Sequence, residues 1–167
     1  AESGGPAVLV DPGALDVNLL RLIEENKYYI RSILVTRADK PQTDGIRTIL
    51  KIYDADIYSA GRQINDVPCK TGSDGDSFVL HGLPVEVVGA QGFSRDSVLY
   101  RIDNQLFTGD ILTAGSIGNV QNTFGLALLV AKLKERFGAM DDNIVVLPGY
   151  GPPSTLGMEK KFNIHLQ

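Results

Sequence analysis

Residues 32–45 read SILVTRADKPQTDG. The stretch opens on an apolar run and turns, within two residues, into a polar loop carrying Arg37, Asp39, Lys40, Pro41 and Gln42. A short run of aliphatic and β-branched residues that stops at turn formers is the pattern of a buried strand. The loop behind it offers a cation, a carboxylate and a proline at the strand end.

The flanking segments repeat this grammar. On the N-terminal side, AVLVDPG (7–13) is a second apolar run stopped by Asp11, Pro12 and Gly13. Between the two runs, Val17, Leu19, Leu20, Leu22 and Ile23 recur at roughly helical spacing, which predicts an amphipathic helix over 16–25. On the C-terminal side, DGIRTILKIYD (44–54) predicts a second helix and ADIYSA (55–60) a third strand. A β-α-β-α-β order predicts parallel strands covered by helices.

The middle of the chain changes character. Residues 61–77 are rich in turn formers and read as a surface loop. The Asp74-Gly75 pair suits a tight turn feeding antiparallel strands at FVLHG, VEVVGA, SVLYRID and QLFTG. NTFGLALLVAKLKERFG predicts a long helix starting at Thr123 and stopped by Gly138, and NIVVLPG a last buried strand. A chain of 167 residues with 43% hydrophobic content can bury one sizeable core, so one domain over 1–167 is expected.

Charge and composition narrow the function classes. Sixteen basic and twenty acidic residues give a formal charge of −4, which argues against a surface built for nucleic acid or an anionic membrane. The longest apolar stretches are far short of a bilayer span, and AESGGP lacks the basic and apolar regions of a signal peptide. With one cysteine, Cys69, no internal disulfide is expected, and cytoplasm is the default compartment.

Taken together, AVLVDPG, the LVT-plus-loop segment, GDSFVLHGLPVEVVGAQGFSRDSVLY, QLFTGDIL, GSIGN and VVLPGYGPPSTLGMEKKFN resemble, in order and spacing, the metallo-β-lactamase superfamily, particularly its glyoxalase II-like hydrolases. The resemblance covers nearly the whole chain. It implies a mixed α/β fold, an αββα sandwich of two sheets between helices. Members carry further strands before the segment matching AVLVDPG, so the N-terminal strands are expected to be missing here and the chain to be a piece of a longer one. An open sheet edge near Ala7 to Val10 follows, covered by upstream sequence, an adjoining domain or a second copy in a homo-oligomer.

The family's chemistry uses one or two metal ions, usually zinc, to activate water. Carried over position by position, its first ligand motif, His-x-His-x-Asp-His, falls on Arg37, Asp39, Pro41 and Gln42. The next ligand histidine falls on Phe93 and the final one on Tyr150; only Asp110, in FTGD, keeps the residue type. Arg37 stays charged and repels a dication, and Pro41 and Phe93 carry no side-chain donor. The resemblance therefore implies a scaffold without its zinc site. A weak Mg²⁺ or Mn²⁺ site at Asp39 and Asp110 is the remaining metal option. The bland alternative pairs the Arg37 guanidinium with Asp110 or Asp39, since a buried carboxylate needs a compensating charge.

Other residues weigh less. Arg37, Lys40 and Arg95 could rim an anion site, with Asp39 and Asp96 beside them as neutralising charges. Phe93 and Tyr150 could wall a small-ligand pocket together with Arg37 and Arg95. Ser94 and Ser97 lack a neighbouring histidine, Cys69 is a lone thiol, and TAGSIGN lacks the lysine of a phosphate loop. His81 reads as a strand-end or turn residue and His165 as a tail residue. Asp11 is expected to bond amides of its own turn and to cap the following helix. These readings point to a non-catalytic domain serving as a binding, regulatory or structural module, with no catalytic residue assigned. A residual metal-dependent hydrolase of a thioester, lactone or phosphodiester and a small-ligand sensor are the alternatives.

Overall fold

The computed structural model describes residues 4–167. In chain order the elements are β1 (Pro6–Val10), α1 (Val17–Glu25), β2 (Tyr29–Leu34), α2 (Lys40–Thr43), α3 (Ile46–Ile52), β3 (Asp56–Ser59) and three two-residue strands, β4 (Gln63–Ile64), β5 (Val67–Pro68) and β6 (Lys70–Thr71). The second half contains β7 (Ser77–Leu80), β8 (Leu83–Gly89), β9 (Val98–Ile102), β10 (Gln105–Gly109), β11 (Leu112–Thr113), β12 (Ser116–Ile117), α4 (Thr123–Gly138), β13 (Val145–Pro148), β14 (Ser154–Thr155) and α5 (Leu156–Phe162).

Two sheets carry the fold. The first, in order β1-β2-β3-β6, is parallel throughout. The second runs β14-β13-β10-β9-β8-β7 and is antiparallel from β7 to β10, as expected, with β13 added parallel to β10. Strand β1 is an outer edge of its sheet, with β2 as its partner among the described residues.

Neighbouring residues on one strand serve different layers, because successive side chains point to opposite faces. Ile33 packs with Ile23 of α1 and Ile46 and Ile49 of α3, whereas Leu34 belongs to the cluster of Val85, Val87, Val98 and Tyr100 between the sheets. In the same way Leu99 faces Leu129, Leu133 and Phe137 of α4 while Tyr100 faces the other sheet. This double burial is why the strands read as continuous apolar runs. The resulting layers are helix, sheet, sheet, helix.

Helix ends follow their caps. The Asp16 side chain accepts a hydrogen bond from the Leu19 amide at 2.8 Å and so starts α1. Helix α4 starts at Thr123 as expected, but its capping side chain is Asn122, which accepts from Gly125 N at 2.8 Å. Gly138 ends α4, yet it lacks positive φ and the cap after it, Ala139, is right-handed. Two helices went unforeseen, α2 inside the polar loop and α5 at the C-terminal end, as did the two-residue strands β4, β5, β6, β11, β12 and β14. No helix among the described residues is long and apolar enough to cross a membrane.

Candidate functional site

The carboxyl ends of β1, β2, β8, β10 and β13 open on one end of the sandwich. Asp11 follows β1, Thr36 and Arg37 follow β2, Phe93 lies in the β8–β9 loop, Asp110 follows β10, and Gly149 and Tyr150 follow β13. The two sheets are stitched there by Val98 N donating to Thr36 O at 2.9 Å, and the loops by Gly13 N to Gln42 O at 3.2 Å and Gly149 N to Gly109 O at 2.7 Å. Ligands of layered α/β folds collect at such strand ends.

Arg37 is the centre of this region. Its guanidinium donates to Asp39 Oδ2 and stands 3.0 Å from Asp110 Oδ2. Its Cζ lies 5.1 Å from the centre of the buried Phe93 ring, a cation–π contact. The Arg37 and Asp110 side chains are 22% and 20% exposed, so water screens the pair only partly. Even so, burial pushes the Asp110 carboxyl above its ordinary range; the Arg37 charge opposes that rise and the Asp39 charge adds to it.

Asp11 is held differently from the expectation of a turn and helix cap. It adopts φ +44° and reaches across to the second strand, accepting from Thr36 N at 2.8 Å and from Thr36 Oγ1 at 2.6 Å. Burial raises its pKa to about 6, against the two Thr36 hydrogen bonds and with a smaller push from Asp110. Gly109 makes this approach possible: at φ +54°, a Cβ on it would fall 2.2 Å from Thr36 Oγ1.

Asp11, Pro41, Gln42, Asp110, Gly149 and Tyr150 enclose a cavity of about 270 Å³. Of the residues expected to wall it, Tyr150 does so and is exposed, whereas Phe93 is buried beneath Arg37 and Arg95 is exposed, and neither lines the cavity. Of the expected anion rim of Arg37, Lys40 and Arg95, the Arg37 guanidinium is paired with two carboxylates, Asp39 and Asp110. Ser94 and Ser97 bond to each other at 2.5 Å, and Ser94 to Asp96 at 2.8 Å. His81 sits at φ +52° in the β7–β8 turn, 3.1 Å from Ser32 Oγ. A larger hollow of about 390 Å³ lies on β7, β8 and β9, lined by Phe78, Val79, Glu86 and Arg101, apart from these loops.

The donor set does not fit a zinc pair. Asp39 and Asp110 do meet, but around a guanidinium that stays protonated and repels a dication. Zinc asks for three or four imidazole, thiolate or carboxylate donors, and no group of three or more His, Cys, Asp or Glu among the described residues could hold a metal ion. Thr36 as the partner of Asp11 was not foreseen; the only trace in the sequence is a hydroxyl residue at the strand end, which is too common to single out.

No family model matches the chain. It is 29% identical over 152 residues to an uncharacterized protein of Treponema pallidum, covering 89% of this chain and 79% of that one. It is 20% identical over 182 residues to the hydroxyacylglutathione hydrolase GloC of Haemophilus influenzae, covering 94% of this chain and 85% of the other. Among solved structures it superposes on the BLEG-1 B3 metallo-β-lactamase with a TM-score of 0.81 and 22% identity, over 96% of this chain and 88% of that one. The layer order, the strand-end loops and this superposition agree: the chain is a metallo-β-lactamase-fold protein.

Proposed function

We propose that this is a non-catalytic metallo-β-lactamase-fold domain, a pseudoenzyme whose strand-end loops bind or scaffold rather than hydrolyse. The observation that carries the reading is the Arg37 guanidinium, 3.0 Å from Asp110 and bonded to Asp39, in the place where the fold's resemblance puts metal ligands. A fixed organic cation compensates the carboxylates but leaves no ion to lower the pKa of a water. Ser94 and Ser97 bond to each other and Ser94 to the Asp96 carboxylate, with no histidine bonded to either among the described residues, so no serine–histidine pair is formed there. In this reading the chain works as one domain, in the cytoplasm, alongside a protein partner or adjoining domain.

The reading is tested by hydrolysis assays on thioester, lactone and phosphodiester reporters, with and without added Zn²⁺ and Mn²⁺. Rates indistinguishable from buffer are expected in both conditions. A divalent-ion-dependent turnover that disappears in Asp110→Asn would establish the surviving hydrolase instead.

A further inference from the structure

We draw no further inference here: the strongest candidate, the apolar groove of about 350 Å³ along the outer edge of β1, lined by Val8, Val10, Leu83, Ile102 and Phe107, carries nothing because nothing in the structure shows what covers it.

Discussion

Asp110 and Arg37 are joined through one carboxylate oxygen only: Oδ2 is 3.0 Å from the guanidinium, while Oδ1 is buried without a partner. The pair is therefore a charge compensation, not a saturated network. Removing the cation leaves Asp110 and Asp39 facing each other across a half-dry pocket.

Arg37→Ala should accordingly destabilise the fold by about 2 kcal/mol, below the range for fully buried pairs because water still reaches the site. Urea denaturation checks this. Adding Asp110→Asn to Arg37→Ala should cost less than the sum of the single changes, since the carboxylate is costly only when unpaired. Strict additivity would mean that the two groups do not interact.

Asp11 makes stability fall as pH rises. Its folded pKa of about 6 lies above the ordinary value of 3.8, so the folded state holds the proton more tightly. Below pH 3.8 the group imposes no penalty, and the penalty is complete above about 6, reaching roughly 3 kcal/mol. The stability difference between the natural chain and Asp11→Asn, measured at pH 4, 5, 6 and 7, should shift steadily against the natural chain. A pH-independent difference would show that Asp11 is not buried as described.

Gly92 is where the β8–β9 loop meets α4. At φ +101°, a Cβ there would fall 2.3 Å from Gly125 O and 2.7 Å from Leu129 N, both backbone atoms that cannot move aside. Gly92→Ala should cost about 3 kcal/mol or more, by forced separation of loop and helix added to the left-handed strain. Gly115, at φ +78° with nothing within 4 Å of its virtual Cβ, is the control: its alanine variant should cost about 1 kcal/mol. Thermal melts of both variants report the contrast.

Glu159 is a buried carboxylate satisfied entirely by neutral donors. Ser154 Oγ donates to Oε1 at 2.6 Å, Asn163 Nδ2 to Oε2 at 2.8 Å, and Gly115 N to Oε2 at 3.1 Å. It ties α5 to the loop after Asp110. Glu159→Gln puts an NH₂ group against donors and should cost about 2 kcal/mol in urea denaturation.

The layers were legible in the sequence because burial on two faces leaves a visible trace. SILV and AVLV are apolar without alternation, and in the structure their residues supply both a helix-facing and a sheet-facing cluster. Helix α4 was legible for the complementary reason, a stripe at Leu129, Leu133 and Phe137 spaced by four. The strand β6 was not: two residues, Lys70 and Thr71, paired to Tyr58 and Ser59, carry no periodicity to read. Helix α5 escaped because its buried face includes Glu159, a charge whose partners lie in other segments. At the site, the meeting of Arg37 with Asp110 could be reasoned from charge compensation. The burial of Phe93 under Arg37, the outward position of Arg95 and the crossing of Asp11 to Thr36 depend on loop geometry that no local pattern encodes.

The central claim is that the Arg37 guanidinium takes the role of charge compensation that a metal has elsewhere in this fold. Elemental analysis of the chain purified without chelator, by inductively coupled plasma mass spectrometry, addresses it most directly. Substoichiometric zinc, iron and manganese, unchanged after incubation with Zn²⁺ and desalting, is the predicted result. One or two equivalents of any of these metals retained in the natural chain and lost in Asp110→Asn would contradict it.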